Sequence, residues 1–354
     1  MTWLIYGANG YTGSLVARLA VERGERPILA GRRAEPVAAL AQELRLERRV
    51  FSLASPVAMG EALDGVTVVA HCAGPFSTTA RPMIEVCLST RTSYLDITGE
   101  IDVFEYAFAR DTAAREAGVV LLPGAGFDVV PTDCLASTLA AELTDAAVLE
   151  LAFLPRGGMS PGTARTSVEG AALGGRARIN GELVSVPLGW RSRAVPFPSG
   201  VRDVVSIPWG DLSSAYRSTG IPTITTYAHV RVSRRATRAG GALVRSLMRV
   251  PRLRTLAGQL ATRRTTGPDA ATRSRTNYEV WGEARNDAGE TVSATLVCPN
   301  GYDLTADSVV RAAARLDAAA VPPGTHTPAT AFGPDFIREL HGVTISTVTR
   351  LSRT

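Results

Sequence analysis

The chain of 354 residues contains no lysine; all 38 of its basic residues are arginine. Mechanisms that need a lysine amine, Schiff-base catalysis among them, are therefore excluded. Cysteine is scarce as well. The four present (Cys72, Cys87, Cys134 and Cys298) show no C-x-x-C spacing, which argues against a disulfide framework and a zinc site, so no metal is expected. No run of about 18 apolar residues is available to span a membrane. The chain opens on a strand pattern rather than a signal peptide, so a soluble, cytoplasmic protein is expected.

What the chain has in quantity is glycine, and its placement is informative. A short strand pattern, Thr2 to Tyr6, runs into Gly7-Ala8-Asn9-Gly10-Tyr11-Thr12-Gly13, and a helical stretch from Ser14 to Arg23 follows. Strand, glycine turn and helix place bare backbone N–H groups and a helix N-terminus against a pyrophosphate. Gly7 permits the tight turn, Gly10 the approach of backbone to phosphate, and Gly13 close packing of helix on strand. The second strand pattern ends in Ala30-Gly31-Arg32-Arg33, with no acid until Glu35. A site for NAD usually ends this strand in Asp or Glu; an arginine pair suits the 2′-phosphate of NADP through charge-assisted, bidentate bonds. NADP is the expected cofactor. The missing lysine then removes the Tyr-x-x-x-Lys short-chain dehydrogenases, which use similar glycine loops.

The first 130 residues alternate strand and helix patterns. Apolar runs at Pro27–Ala30, Val50–Leu53, Val66–His71, Tyr94–Ile97 and Val119–Leu122 are separated by helical periodicities such as Pro36–Leu44, Arg81–Leu88 and Asp102–Ala117. This is βαβ repetition and predicts an α/β fold: a doubly wound parallel Rossmann sheet with ligands at the carboxyl ends of its strands. Those ends carry Cys72-Ala73-Gly74-Pro75-Phe76, Asp96-Ile97-Thr98-Gly99-Glu100 and Gly124-Ala125-Gly126-Phe127-Asp128. From about residue 148 the pattern changes. Val148–Leu154, Ala177–Val186, Val204–Pro208, Thr223–Val232, Asn277–Arg285 and Glu290–Cys298 alternate apolar and polar side chains, as in a largely antiparallel sheet. Asp303–Ala320 returns to helical spacing.

Together the segments GANGYTG (7–13), AGRR (30–33), HCAGPF (71–76), YLDITGE (94–100), PGAGFDVVPTDCLA (123–136), PGTARTSVEG (161–170) and PNGYDLTAD (299–307) resemble the saccharopine dehydrogenase-like oxidoreductases. That family includes saccharopine reductases and trans-acting enoyl reductases. The resemblance implies an NADP-binding Rossmann domain at 1–135 and an α/β substrate and dimerisation domain at 136–300. Residues 301–354 would then hold a helix returning to the first domain and a tail. A homodimer is one expected assembly. Carried over, Gly7, Asn9, Gly10, Tyr11, Thr12 and Gly13 hold the pyrophosphate, Arg32 and Arg33 the 2′-phosphate, and Ala73, Gly74, Pro75 and Phe76 line the nicotinamide ribose. Asn9 stands where relatives often have Thr or Ser.

With NADPH supplying hydride, the protein must orient an acceptor and stabilise the charge that develops on it. Tyr94, Asp96, Glu100 and Asp128, at the ends of the predicted strands, are the candidate catalytic groups. Asp96 and Asp128 also read as helix caps, Tyr94 as core, and His71 as a satisfied core histidine. The net charge of +5 is uneven: residues 231–275 carry twelve arginines against Asp269 alone. Between Arg231 and Arg264, apolar residues at helical spacing suggest a basic amphipathic pair broken near Pro251. It could close an acyl tunnel, rest on an anionic membrane surface or dock an acidic carrier protein. Without interleaved aromatics it does not resemble a nucleic-acid surface.

Three functions are then open. The first is reduction of a hydrophobic, carrier-tethered enoyl substrate. The second is reduction of an imine formed from an amino acid and an aldehyde, with Arg165, Arg176 or Arg178 taking carboxylates. The third is non-catalytic NADP binding by a lipid-associated partner protein.

Overall fold

A computed structural model describes residues 2–229 and 265–351, apart from the side chains of residues 169 and 171–173. The segment Arg231–Arg264, with the end of the run Thr223–Val232, lies outside the described residues. Contacts divide the chain into two units, Met1–Val130 with Tyr302–Phe332, and Pro131–Gly301 with Gly333–Thr354.

The first unit is built from β1 (Trp3–Tyr6), α1 (Tyr11–Glu22), β2 (Ile28–Gly31), α2 (Ala34–Leu44), β3 (Arg48–Val50), α3 (Pro56–Ala62), β4 (Val68–His71), α4 (Phe76–Thr90), β5 (Ser93–Asp96), α5 (Ile101–Phe108), α6 (Asp111–Ala117) and β6 (Val120–Leu122). A short late strand at Gly324–Thr325 pairs with β6, and among the described residues seven strands form one sheet in the order late strand, β6, β5, β4, β1, β2, β3. The β1–β2 and β1–β4 pairs are both parallel, with Leu4 opposite Ile28 and Tyr6 opposite His71. Chain order reverses at β1, so the crevice outside β1 and β4 is the switch point where such sheets take ligands. Side chains alternate between two cores. Trp3, Ile5, Leu29, Val68 and Leu95 face α1, α2 and residues 306–316; Leu4, Tyr6, Val69, Tyr94 and Leu121 face α3, α4 and α5. A parallel sheet covered on both faces explains the continuous apolar runs in the sequence.

The second unit contains α7 (Val130–Glu142), β7 (Val148–Leu154), α8 (Pro161–Leu173), β8 (Gly175–Ile179), β9 (Glu182–Val186), β10 (Ser192–Phe197), β11 (Gly200–Ser206), α9 (Asp211–Thr219), β12 (Thr223–Ala228), α10 (Ala270–Arg275), β13 (Asn277–Arg285) and β14 (Thr291–Pro299). The sheet is mixed: β12 runs parallel to β7, while β7–β13, β13–β14 and β10–β11 are antiparallel. On one face Gly282 admits α7, since a Cβ there would lie 2.9 Å from Leu139 and 3.1 Å from Leu135. On the other, Trp281, Tyr227, Val195 and Phe197 form a small core. An open cavity of about 440 Å³ on that face is lined by Glu150, Arg193, Tyr227 and Glu283. Within it Arg193 pairs with Glu150 and Glu283, and Tyr227 donates to Glu150; Arg191 and Arg285 complete its charged lining.

The remaining elements are α11 (Gly301–Asp317), β15 (Gly324–Thr325), α12 (Pro328–Phe332), β16 (Thr344–Ile345) and β17 (Thr349–Leu351). Helix α11 supplies Ala306, Val309, Val310 and Ala313 to the core of the first unit. Strands β16 and β17 pair with β14 of the second.

Several element boundaries differ from the sequence expectation. The third strand is Arg48–Val50 rather than Val50–Leu53, because an exposed edge strand can carry arginines and lacks an apolar signature. The helix expected over Asp102–Ala117 is broken between Phe108 and Asp111. The run Ala177–Val186 is a hairpin turning at Asn180-Gly181, both with positive φ (50° and 85°). The glycine-rich stretch before it contains α8, started by Ser160 accepting from the Thr163 N–H at 3.1 Å.

Candidate active site

The loop after β1 folds as a cradle. Gly7 adopts φ +83°, its N–H and that of Ala8 donate to the Ala30 carbonyl (2.8 and 3.1 Å), and Gly10 N–H donates to the Gly7 carbonyl (2.9 Å). A Cβ on Gly13 would strike the Gly7 carbonyl group and come within 3.0 Å of Ala8 Cα. Helix α1 has Gly10 as its N-cap residue, with no side-chain cap and no acidic residue in its first turn. Its leading N–H groups and positive dipole end therefore have no side-chain anion of their own. Tyr11 meets the ring of Tyr302 edge-on at 4.9 Å.

At the end of β2, Gly31 makes room for the Asn9 side chain, and beyond it Arg32 and Arg33 are exposed. The donor set fits a 2′-phosphorylated dinucleotide: an uncapped helix start for the pyrophosphate and two open guanidinium groups where an NAD site carries an acid.

The loops after β4, β5 and β6 are laced together beside this cradle. A Cβ on Gly7 would lie 2.9 Å from Ala73 N, so the segment Ala73-Gly74-Pro75-Phe76 abuts the glycine loop. Glu100 starts helix α4 from outside: its Oε1 accepts from Phe76 N–H (2.9 Å) and its Oε2 from Ser77 N–H (2.6 Å). Asp96 is fully buried and ties two loops, accepting from Tyr94 Oη–H (2.6 Å), Thr98 N–H (3.0 Å) and Gly124 N–H (2.8 Å). Burial raises its pKa to about 6 against those three hydrogen bonds. Tyr94 is fully buried, and burial together with the Asp96 charge holds its hydroxyl well above the usual phenol range.

Asp128 differs from these. It is half-buried, and its carboxyl stands against Gly99, whose Cβ would lie 3.2 Å from Oδ2. Burial, with a smaller contribution from the Glu100 charge, pushes its pKa up to about 7. The four candidates thus gather at one sheet edge; Asp96 is fully buried, whereas Asp128, its pKa pushed up to about 7, is only half-buried.

Sequence reasoning missed three contributors. Thr98 accepts from Glu100 N–H at 3.0 Å, Thr305 of α11 accepts from Phe127 N–H at 2.9 Å, and Thr79 bonds back into the Ala73–Pro75 loop. Thr98 and Thr305 lie inside segments already singled out, so their hydroxyls could have been read; Thr79 carries no local signal. His71 is core, as expected, but its Nδ1 shows no hydrogen-bond partner among the described residues. Arg178, a candidate for substrate carboxylates, is spent internally on the carbonyls of Leu212 and Gly181 and stacks 4.1 Å over Tyr216.

Residues 3–122 match the family model of the saccharopine dehydrogenase NADP binding domain. The first unit carries a saccharopine dehydrogenase NADP-binding domain. Its cofactor is NADP. The human saccharopine dehydrogenase-like oxidoreductase is 31% identical to this chain over 150 residues, covering 37% of the chain and 35% of that protein. The trans-acting enoyl reductase of Mycobacterium leprae is 32% identical over 143 residues, covering 37% and 33%. The chain thus spans about a third of the length of the curated relatives it matches.

Two solved structures share the fold across both units. Saccharopine dehydrogenase (L-Glu forming) from Saccharomyces cerevisiae superposes with TM-score 0.66 at 12% identity, covering 99% of this chain and 100% of that one. The homospermidine synthase of Legionella pneumophila, solved in complex with NAD, gives 0.65 at 12% identity, covering 98% and 91%. The described residues offer no group of three or more metal-ligating side chains and no helix long and apolar enough to cross a membrane.

Proposed function

We propose that the chain is an NADPH-dependent reductase of a polarised double bond. The observation that carries this reading is the half-buried Asp128 carboxyl, set against Gly99 after strand β6 of the dinucleotide-binding sheet; burial there pushes its pKa up to about 7. Bound NADPH supplies hydride. The glycine loop residues Gly7, Asn9, Gly10, Tyr11, Thr12 and Gly13 hold the pyrophosphate, Arg32 and Arg33 the 2′-phosphate, and Ala73 to Phe76 the nicotinamide ribose. Asp128 holds the proton on its carboxyl and gives it to the reduced substrate; a group titrating near the working pH is suited to this. Tyr94, Asp96 and Glu100 act by holding the loops around Asp128 in place.

The substrate we favour is the C=C of a hydrophobic enoyl thioester, the reaction class named for the Mycobacterium leprae relative. Arg178 supports this choice over an imine substrate, since an amino-acid-derived imine needs arginines aimed at carboxylates and this one is committed to backbone carbonyls. The segment Arg231–Arg264 is the proposed docking surface for an acidic carrier protein or an anionic membrane; it lies outside the described residues and stands on its sequence.

Loss of NADPH absorbance in the presence of 2-enoyl thioesters tests the reading. Turnover with them, reduced by at least about a hundredfold in Asp128→Asn, is the expected result. Turnover only with an aldehyde and an amino acid would transfer the assignment to imine reduction. NADPH binding without turnover on either panel would leave a non-catalytic binding protein.

A further inference from the structure

The buried His71 and the half-buried Thr79 have no part in the chemistry above, yet they are wired into the loop proposed to meet the cofactor. Thr79 Oγ1 lies 2.7 Å from the Ala73 carbonyl oxygen, 3.0 Å from that of Pro75 and 3.0 Å from His71 Nε2. A hydroxyl has one proton, and here it is directed to the two carbonyls, so towards His71 it accepts. His71 Nε2 must therefore carry the ring proton, an assignment made from the network. Nδ1 is then a bare acceptor, buried with no partner among the described residues.

The ring is boxed by Tyr6 at 5.5 Å, Phe76 at 5.5 Å and Tyr94 at 6.0 Å. Burial lowers its pKa to about 3, so the imidazole is neutral. A phenyl ring would suit this box without leaving an acceptor unpaired. What the imidazole adds is one donor, and Thr79 receives it. The Pro75 bond is an ordinary return bond within the first turns of a helix. The Ala73 bond is not, because it reaches six residues back into the loop that abuts Gly7.

We propose that His71 and Thr79 form a hydrogen-bonded strut that fixes the Ala73 and Pro75 carbonyls and so positions the loop against the nicotinamide end of NADP. Both are positioning residues. The inference rests on the reading that Ala73 to Phe76 line the nicotinamide ribose.

The test compares binding of NADPH with binding of 2′-phospho-ADP-ribose, the same molecule without its nicotinamide. Thr79→Val should raise the Kd for NADPH about tenfold and that for the fragment by less than about twofold. Thr79→Ser, which keeps the hydroxyl, should restore NADPH binding. His71→Phe should weaken NADPH binding alone but add little on top of Thr79→Val, as expected of two groups acting through one contact.

Equal weakening of both ligands by Thr79→Val, no weakening of either, or a lowered Tm with an unchanged ratio of the two Kd values would each overturn the strut. So would failure of the serine variant to restore binding. Wild-type chain that binds the fragment as tightly as NADPH would instead overturn the placement of the nicotinamide at this loop.

Discussion

The side-chain oxygen of Asn9 lies 2.9 Å from the point that a Cβ on Gly31 would occupy, and Val37 Cγ2 lies 3.0 Å from it. The glycine loop and the end of β2 therefore interlock, and a side chain at position 31 would have to displace Asn9 and Val37. On the proposed reading charge selection falls to Arg32 and Arg33, which are exposed just beyond. Replacing both by alanine should raise the Kd for NADPH between about tenfold and a hundredfold, the worth of one or two charge-assisted hydrogen bonds. The Kd for NADH should stay within about threefold, because it has no phosphate to lose. Titration calorimetry with the two nucleotides checks this, and an equal loss for both would remove the arginines from the 2′-phosphate site.

Gly13→Ala should be damaging for a reason that lies in backbone. The new Cβ would collide with the Gly7 carbonyl group and approach Ala8 Cα at 3.0 Å, and neither can rotate away as a side-chain tip could. A loss of about 1–3 kcal/mol of stability is expected from such overpacking, read as a lower urea midpoint. NADPH affinity should fall with it, since the same peptide shapes the phosphate cradle. Gly24→Ala is a control for glycine loss remote from the cradle: it has open space around it but a φ of +82°, so a modest loss of stability with unchanged NADPH affinity is expected.

How much of this was legible beforehand follows from how local each signal is. The cradle was readable because Gly7, Gly10 and Gly13 act within seven residues, and the sheet because its buried strands are short apolar runs. Strand β3 escaped because its arginines sit on an exposed edge, and α9 because the residues Asp211, Ser213 and Ser214 hide a helix that the structure buries. The four candidates lie at the ends of neighbouring strands, but the partners of each could not be read. Glu100 caps a helix 24 residues earlier in the chain, and Asp96 joins loops 28 residues apart. Such partners are set by strand order rather than by any spacing in the sequence.

Tyr94 provides a clean separation of structure from chemistry. Its hydroxyl is fully buried and donates to Asp96 alone. Tyr94→Phe should cost about 1–3 kcal/mol of stability, because Asp96 Oδ2 loses the only partner it shows among the described residues. Turnover at saturating NADPH should stay within about threefold of wild type. A loss of a hundredfold in kcat with unchanged stability would make Tyr94 a proton donor and displace Asp128 from that role.

The pH behaviour of Asp128 gives the sharpest test. Its pKa rises from 3.8 unfolded to about 7 folded, so the native state prefers the neutral carboxyl. The stability this preference confers is complete below about pH 4 and is lost as pH climbs through about 7. Asp128→Asn stays neutral throughout. Relative to this variant, wild type should therefore lose stability with rising pH, by on the order of 4 kcal/mol across the window, as chemical denaturation at a series of pH values would show. The rate of reduction should fall on the alkaline side of the same pKa, where Asp128 has no proton to give. Glu100 supplies part of the upward shift through its charge. Glu100→Gln should accordingly move the alkaline limb of the rate profile to lower pH, while keeping one acceptor oxygen for the start of α4. An unmoved limb would mean that the titrating group is not the Asp128 carboxyl.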